Sequence, residues 1–209
     1  MHEVITREEA EIRREEIKRR IIDGAVFIYP TDTIYGIGCN ALDSGAVRKV
    51  RELKGRPNTP FSIIAPSREW VEEHCHVHKR ASKWVKRLPG PLTLILKAKK
   101  AAVAPEVAPG IDTIGVRAPN HWFTKFIEEL NIPIITTSAN KVGKMFMKSL
   151  DDLDPAIRMS VDFIIYEGEK AGKPSDIVHL EEEKRKLAKV IPLPTKVEKR
   201  KAEASQKKK

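Results

Sequence analysis

The segment VFIYPTDTIYGIG, residues 26–38, decides how the rest of the sequence is interpreted. Its apolar run stops at Pro30, because proline has no backbone N–H to donate within a sheet. Three polar residues, Thr31-Asp32-Thr33, follow at once, and we call them the hydroxyl turn. Polar loops at the ends of buried strands are common ligand sites in α/β proteins. The segment therefore predicts a buried strand that ends in a binding loop, and a turn that only ends the strand is the alternative.

The size and charge of the chain favour one folded domain with anionic partners. The chain has 209 residues, of which 41% are hydrophobic, enough to bury a core. Its 39 basic and 29 acidic residues give a net charge of +10, which favours nucleotides or RNA as partners. Residues 195–209 hold seven Lys or Arg and two Glu, so we expect a basic, disordered tail there. A charged, well-solvated surface is the alternative explanation for the rest.

Cysteine usage and hydropathy predict a cytoplasmic protein without membrane contact. Cys39 and Cys75 are the two cysteines, too few for a disulfide framework. The N-terminal residues are charged from the start, which is unlike a secretory signal peptide. No apolar run approaches the roughly 18 residues that a membrane-spanning helix needs.

Hydrophobic periodicity and breaker residues predict a chain in which helices and strands alternate. Helices are predicted over 6–24, 44–55, 68–88 with a break near His76, 121–130 and 149–159. In the first helix the predicted apolar stripe consists of Ile12, Ile17, Ile21 and Ile22. Strands are predicted over 25–30, 61–65, 89–98, 112–119, 132–140, 162–168, 176–180 and 186–194. Because several strands follow one another directly, we predict a single α/β domain over residues 1–194, with a twisted mixed parallel and antiparallel sheet flanked by helices.

The segment KGRPNTP, residues 54–60, predicts a binding site for an anion. Gly55 lets the chain turn out of the preceding helix, and Pro57 restricts Arg56 to an extended conformation. Lys54 and Arg56 then project together, and two cations repel each other unless an anion binds between them. Arginine offers a planar fork and lysine a compact charge for phosphate or carboxylate. We call these two residues the anion clamp; a solvated basic loop is the alternative.

Two further polar groups stand at the ends of predicted strands. Arg117 lies between apolar neighbours, either as an inward-facing anion contact or as an edge residue with a buried stem. In TTSAN, residues 136–140, Ser138 and Asn140 share one side of an extended chain. Asparagine supplies both donors and an acceptor to a polar substrate. Together with the hydroxyl turn and the anion clamp, these residues predict a basic pocket that binds a small zwitterion beside phosphates and catalyses by orientation and charge stabilisation.

Common nucleotide-binding and hydrolase motifs are missing from the sequence. It contains no G-x-x-x-x-G-K-[ST], no G-x-G-x-x-G and no G-x-S-x-G segment. The segment HCHVH, residues 74–78, holds good metal ligands, but no second ligand pair of matching spacing occurs. We therefore predict no native metal site, and a nucleotide that binds outside a P-loop.

The order of the polar motifs resembles the YrdC family of threonylcarbamoyl-AMP synthases and their YciO-type relatives. The matching segments are PTDTIYGIGCNA, LKGRP, PGPLT, GVRAP and SAN followed by Gly143, in that order. The resemblance covers about residues 20–182. It implies an α/β domain with a concave, positively charged face. It also implies formation of threonylcarbamoyl-AMP and pyrophosphate from L-threonine, bicarbonate and ATP, with Mg²⁺ accompanying the nucleotide, for t6A modification of tRNA.

The resemblance also implies a role for each motif. The threonine end of the pocket is assigned to Thr31, Thr33, Tyr35 and Arg117. The catalytic residues that contact the triphosphate and the developing carbamate are Lys54 and Arg56. The nucleotide side is assigned to Lys54, Arg56, Ser138, Asn140 and Ser175. Further partners implied are tRNA or double-stranded RNA and other proteins of the t6A pathway.

The chain also departs from the usual family pattern. Ile64, Val142 and Asp176 stand where histidine, serine and threonine are common. VIPLPTKVEKR replaces a late arginine–glycine strand, and TPFSII is more similar to the YciO branch. The alternatives are therefore an RNA-binding YciO-type protein without this catalysis, and a sibling enzyme that acts on another carbamoyl or acyl compound.

Overall fold

The computed structural model describes residues 3–141, 143–181 and 190–191. The tail predicted over 195–209, most of the strand predicted over 186–194, and the departure at Val142 lie outside the described residues.

Strands from along the whole described chain join in one mixed sheet. They are β1 Glu3–Ile5, β2 Phe27–Tyr29, β3 Gly36–Gly38, β4 Ser62–Ile64, β5 Leu92–Lys97, β6 Thr113–Arg117, β7 Ile134–Ser138, β8 Phe163–Ile165, β9 Asp176–His179 and β10 Val190–Ile191. Their order across the sheet is β1-β8-β2-β3-β7-β4-β6-β5-β9-β10. Strands β1, β8 and β2 run parallel, as do the pairs β4–β6 and β5–β9, whereas the remaining neighbours are antiparallel. The predicted mixed sheet is confirmed.

Helices cover the two faces of this sheet unequally. The helices are α1 Arg7–Ile12, α2 Arg14–Ile22, α3 Ser44–Lys54, α4 Arg68–His74, α5 Lys79–Val85, α6 Trp122–Leu130 and α7 Pro155–Ser160, with 3-10 turns at Pro105–Val107 and Leu150–Asp152. Helices α3, α4, α5 and α7 bury one face along most of its width. Helices α1, α2 and α6 pack on the other face, chiefly over β1, β8 and β2. Within the described residues, no helix combines the length and the apolar character that a bilayer crossing requires.

The less covered face carries small or polar side chains on its central strands. Ile63, Val116 and Ile135 point into the first core. Side chains alternate along a strand, so the neighbouring Ser62, Gly115 and Thr136 point to the opposite face. Ser62 pairs with both Gly115 and Thr136, and a Cβ at Gly115 would clash with the Ser62 side chain. We call this surface the open face. Its central side chains are small or polar, whereas those of the first face belong to the core.

The first helix differs from its prediction. The predicted capping box of Thr6 and Glu9 is present, but the helix is interrupted at Arg13, with φ −94° and ψ 23°. Ile12 is 84% exposed and Ile22 52% exposed, so the predicted stripe is wrong at both positions. The residues that pack inward are Ala10, Ile17 and Ile21. Ile12 lies two residues beyond Ala10, about 200° around a helix, so it faces solvent.

Other elements also differ from the predictions, whereas one predicted break is confirmed. Strand β1 was not predicted, and it pairs with β8 at the edge of the sheet. The helix predicted over 149–159 is a 3-10 turn followed by the shorter α7, which starts at Pro155 with Asp154 as its N-cap. The predicted break near His76 is confirmed, because α4 ends at His74 and α5 starts at Lys79.

Candidate functional site

Lys54 is the last residue of α3 and is buried. Asp43 caps the start of this helix, and Gly55 closes it in the left-handed conformation with φ 61°. The Lys54 ammonium reaches the end of β7, where it donates to the Ser138 carbonyl at 2.6 Å and the Asn140 side-chain oxygen at 3.2 Å. It also donates to the Asn140 carbonyl. Its contacts are neutral oxygens, so its positive charge is hydrogen-bonded but not compensated by these partners.

The surroundings of Lys54 shift its protonation into the physiological range. Burial, and to a lesser degree the nearby charge of Arg56, lower the pKa of Lys54 from 10.5 to about 7. An anion beside the ammonium would raise this pKa again, because an opposite charge favours the protonated form. The free site therefore holds a lysine that gains a proton on binding phosphate at alkaline pH.

Arg56 lies directly beyond the helix end and is half-buried. Its N–H donates to the Arg51 carbonyl at 3.0 Å, which completes a helix-ending motif around Gly55. Its guanidinium lies 3.4 Å from the Thr137 hydroxyl and 5.5 Å from the centre of the Phe61 ring. Burial lowers the pKa of Arg56. The structure thus brings both cations of the anion clamp to the end of β7.

The hydroxyl turn is held by its first threonine. The Thr31 hydroxyl donates to the Ile34 carbonyl at 2.7 Å and accepts from the Thr33 and Ile34 N–H groups at 3.1 and 3.3 Å. It also lies 3.0 Å from the Thr33 hydroxyl. Thr31 is therefore committed to the turn itself, as the alternative interpretation of this segment expected. Thr33 remains the hydroxyl that faces a neighbouring element.

Arg117 connects the hydroxyl turn to the end of β6. Its Nη2 lies 3.1 Å from an Asp32 carboxylate oxygen and 3.2 Å from the Thr33 hydroxyl. The second Asp32 oxygen accepts from the Asn120 N–H at 3.0 Å. Burial lowers the pKa of Arg117, and the Asp32 charge acts in the opposite direction. Its Nε is buried without a hydrogen-bond partner among the described residues.

Tyr35 connects the hydroxyl turn to the end of β7, where the anion clamp lies, through a main-chain hydrogen bond. Its carbonyl accepts from the Ala139 N–H at 3.0 Å, between Ser138 and Asn140. Its side chain is fully buried, and its hydroxyl donates to the Gly168 carbonyl at 2.6 Å and accepts from a backbone N–H at 3.1 Å. Tyr35 is therefore placed to hold the hydroxyl turn against the end of β7, with its hydroxyl turned away from a substrate.

The two predicted residues at the end of β7 form a hydrogen-bonded bracket. The Ser138 hydroxyl donates to the side-chain oxygen of Asn140, the same atom that Lys54 contacts. The Asn140 amide nitrogen donates to the Lys141 and Lys144 carbonyls at 2.9 and 2.8 Å. Asn140 thus fixes the loop that contacts Lys54. Ser138 is the last residue of β7 and pairs with Gly36 on β3.

Ser175 reaches the open face from the far side of the sheet. Its hydroxyl lies 2.7 Å from the Thr93 hydroxyl on β5. The chain before it passes tightly over the hydroxyl turn, because a Cβ at Gly172 would overlap the Thr33 carbonyl. Asp176 pairs with Leu92 at the start of β9, and strand alternation turns its side chain to the face opposite Ser175. The carboxylate that replaces the family's threonine therefore points away from the open face.

The structure also shows residues that the sequence analysis missed. Arg51 is buried under the anion clamp, Thr137 is the partner of Arg56, and Thr93 is the partner of Ser175. A signal for Arg51 was available, because it stands at helical spacing on the buried stripe of α3 with Val47 and Lys54. The two threonines lie within the motifs TTSAN and PGPLT, but their partners could not be predicted, since each contacts an element distant in sequence.

The described residues offer little for a metal ion. They contain no group of three or more His, Cys, Asp or Glu side chains that could hold one. His74 stacks on Trp70 and its ring nitrogen contacts the Trp70 carbonyl at 2.9 Å. His78 caps α5 and its other ring nitrogen lies 3.0 Å from the Leu180 carbonyl. Two histidines of the HCHVH segment are thus used by the fold.

Comparisons with known proteins relate this arrangement to one family. The sequence model of the family described as Telomere recombination (Sua5_yciO_yrdC) matches residues 19–190. A putative threonylcarbamoyl-AMP synthase of Methanocaldococcus jannaschii is 42% identical over 174 residues, 81% of each chain. The threonylcarbamoyl-AMP synthase of Pyrococcus abyssi is 38% identical over 181 residues, 81% of this chain and 53% of that protein. The crystal structure of P. abyssi Sua5 complexed with L-threonine superposes with a TM-score of 0.78 at 32% identity, over 88% of this chain and 55% of that one. The chain thus spans about half the length of the P. abyssi protein.

Proposed function

Because the chain belongs to the Sua5, YciO and YrdC family, we propose that it forms threonylcarbamoyl-AMP from L-threonine, bicarbonate and ATP. One observation carries the proposal: a buried lysine and a half-buried arginine lie at the end of β7 with no carboxylate bound to either among the described residues. A main-chain hydrogen bond ties this end to the turn whose Thr33 hydroxyl contacts a second arginine. Relatives named threonylcarbamoyl-AMP synthase, and one solved with L-threonine, support the same assignment.

The reaction explains why the site has cations and no nucleophilic residue. The threonine amine forms a bond to the carbon of bicarbonate, which leaves a carbamate after loss of water. A carbamate oxygen then forms a bond to the α-phosphorus of ATP, and the bond between this phosphorus and the bridging oxygen of pyrophosphate breaks. Negative charge collects on the carbamate and on the leaving pyrophosphate. The chain's contribution is orientation and charge stabilisation, as in other phosphoryl and nucleotidyl transfers.

Each part of the site has a role in this proposal. Lys54 and Arg56 bind the phosphates and stabilise the developing charge, which makes them the catalytic residues of a nucleotidyltransferase. Thr33 and Arg117, whose side chains contact each other at 3.2 Å, bind the threonine end. Thr31 and Tyr35 support that end, Thr31 through its contacts within the turn and Tyr35 through its carbonyl, which accepts from the residue after β7. The nucleotide side is bound by Ser138, Asn140 and Ser175.

Mg²⁺ in this proposal arrives with the nucleotide. The chemistry it supplies when bound is neutralisation of phosphate charge. Asp32 contacts Arg117 and Asn120, so its carboxylate is already used. The ion would therefore be bound by phosphate oxygens and water more than by this chain. The product would serve t6A modification of tRNA in the cytoplasm, together with other proteins of that pathway.

The charge of the chain favours a second candidate function, RNA binding without this catalysis. The net charge of +10 is large for 209 residues and suits tRNA or double-stranded RNA. Affinity that rests on phosphate contacts falls steeply with salt. A pocket for ATP and threonine instead gives saturable binding that persists at moderate salt. The two functions are compatible, but the salt dependence tells which ligand the open face serves.

Mass spectrometry of the reaction mixture tests the proposed enzyme directly. The protein is incubated with ATP, bicarbonate, L-threonine and MgCl₂, and the threonylcarbamoyl adenylate and pyrophosphate are measured. We expect both products, and expect neither when threonine or bicarbonate is omitted. Formation of another adenylate with a different amine or acid would favour the sibling enzyme. RNA affinity without any adenylate would favour the binding function.

A further inference from the structure

Arg51 is a buried arginine whose donors all go to main-chain oxygens. It lies on the inner side of α3 and is 7% exposed. Its Nε donates to the Glu106 carbonyl at 2.6 Å and its Nη2 to the Val107 carbonyl at 3.2 Å, both in a 3-10 turn. Its Nη1 donates to the carbonyls of Arg56, Pro57 and Thr59 at 2.6, 3.1 and 3.1 Å. One side chain thus fastens the loop 56–59 to a turn more than forty residues away.

Arg51 holds Arg56 from both sides of that residue. The Arg51 carbonyl accepts from the Arg56 N–H at 3.0 Å, and the Arg51 guanidinium donates to the Arg56 carbonyl. Both peptide groups of Arg56 are therefore fixed by one residue. The two guanidinium carbons also lie 4.6 and 5.5 Å from the centre of the same Phe61 ring. Arg51 therefore fixes the backbone of Arg56, and both side chains pack on the same Phe61 ring.

This arrangement has an electrostatic cost. Burial lowers the pKa of Arg51, and the charge of Arg56 lowers it further. Carbonyl dipoles stabilise the buried guanidinium, and an arginine can reach several of them because its planar group carries five N–H donors. A lysine at this position would keep the charge and bring three donors on one atom, so it could not contact the loop and the 3-10 turn in the same way.

We infer that Arg51 is the positioning residue of the anion clamp: it aims Arg56 at the anion while contacting no substrate itself. The inference rests on the proposed function, because the anion is taken to be the ATP phosphates. The inference also explains why Arg51, a third cation, is buried beneath Lys54 and Arg56. Arg51 is present for its several N–H donors, and its positive charge comes with them.

A double-mutant cycle tests whether Arg51 acts through Arg56. Arg51→Lys, Arg56→Ala and the double variant are compared by kcat/KM for ATP and by KM for threonine. Arg51→Gln is a second variant, which keeps two donors and loses the charge. Arg48→Met is the matched control, because Arg48 is on the same helix and pairs with Glu106 at 2.5 Å but is 58% exposed. All variants are first compared by circular dichroism and by melting temperature.

We expect Arg51→Lys and Arg51→Gln to lower kcat/KM for ATP by about tenfold, since small displacements of positioning groups cost that much or more. The KM for threonine should stay within about twofold, and Arg51→Lys should add nothing to Arg56→Ala. Arg48→Met should match the unmodified protein. Full activity in Arg51→Lys would overturn the inference, and so would losses that add in the double variant.

The cycle also separates this inference from the proposed function. If the unmodified protein forms no adenylate, the proposed function fails, and the same cycle is then measured as the Kd of ATP by calorimetry. A loss of ATP affinity in Arg51→Lys that disappears in the Arg56→Ala background would still support the positioning role. Unchanged affinity, or an additive loss, would overturn it.

Discussion

The two ends of the candidate site hold their cations in opposite ways. At one end, Arg117 is paired with the Asp32 carboxylate, and the two side chains are 8% and 12% exposed. At the other end, the Lys54 ammonium contacts two carbonyls and an amide oxygen. The first cation is neutralised before a ligand arrives, whereas the second is not. In the proposed function, the Arg117 end therefore orients a ligand, and the Lys54 end supplies the attraction for phosphate.

In the proposed function, the difference between the Arg117 end and the Lys54 end also explains how one site can bind a zwitterion, threonine, together with a polyanion, ATP. If both ends carried an uncompensated positive charge, the phosphates of ATP could bind at either end. The Asp32–Arg117 pair removes that ambiguity, because it leaves hydrogen-bond donors at one end and net positive charge at the other. The substitutions below change one end at a time, from the largest expected effect to the smallest.

Replacing Lys54 should have the largest effect. Lys54→Met keeps the length of the buried stem and removes the ammonium, so we expect kcat/KM for ATP to fall by about 10²–10³-fold. Lys49→Met on the exposed side of the same helix is the control, and it should change little. Steady-state rates of pyrophosphate release measure both. Equal rates in the two variants would contradict the role of Lys54.

Breaking the buried pair at the other end should affect stability first. In Asp32→Asn the Arg117 charge is no longer compensated, so we expect the free energy of unfolding to fall by about 3 kcal/mol. Asp112→Asn removes an exposed pair with Lys97, whose side chains are 66% and 52% exposed, and should leave the denaturation midpoint unchanged. Denaturant titration measures both.

Asp32→Asn should also make the two ends more alike. With the Arg117 charge uncompensated, tripolyphosphate should bind more tightly to the variant than to the unmodified protein, and threonine more weakly. If phosphate affinity is unchanged, the paired state of Arg117 does not govern where the anion binds.

The sequence predicted the cation pair at the Lys54 end but not the ion pair at the Arg117 end. Gly55, Pro57 and the two cations lie within four positions, so local turn rules sufficed to bring Lys54 and Arg56 together. Arg117 and Asp32 are separated by 85 positions, and their contact depends on how β6, the hydroxyl turn and the start of α6 are assembled. Pattern reasoning gave the residue types at that end but not that two of them form a pair.

The fold shows the same limit. Long periodic segments such as α3 and α6 and the breaks at Gly55 and His76 could be predicted, because propensity and periodicity agree there. The short strand β1 was missed, since three residues before a charged helix carry almost no periodicity and pair with a strand near the other end of the chain. Burial of Arg51 was missed because a charged side chain was read as solvated despite its place on the apolar stripe.

Raising the pH should weaken the Lys54 end alone. Since the pKa of Lys54 is lowered to about 7, the free site loses its ammonium above that pH. We expect ATP affinity to fall by up to about tenfold per pH unit above 7, and ATP binding at pH 8 to take up a proton. Lys54→Arg should remove both effects, as arginine stays charged. Calorimetry in buffers of different ionisation enthalpy measures the uptake.

The same lysine predicts the sign of a stability change. An unfolded lysine keeps its proton up to about 10.5, whereas folded Lys54 loses it near 7. Between these values the unfolded state binds more protons, so the free energy of unfolding should rise with pH. Lys54→Met should abolish that rise. A slope that persists in Lys54→Met would assign it to another group.

The smallest effect is expected on the rim of the nucleotide side. Ser175 reaches the open face through its contact with Thr93, whereas the next side chain, Asp176, points to the opposite face. Ser175→Ala removes one hydroxyl contact, so we expect KM for ATP to rise about threefold with kcat unchanged, as for loss of a single uncharged hydrogen bond. Asp176→Asn should leave both constants unchanged, because its side chain points away from the contact between Ser175 and Thr93. A faster rate in Asp176→Asn would show that this carboxylate repels the phosphates despite its orientation. The Lys54 end would then carry less net positive charge than its contacts indicate.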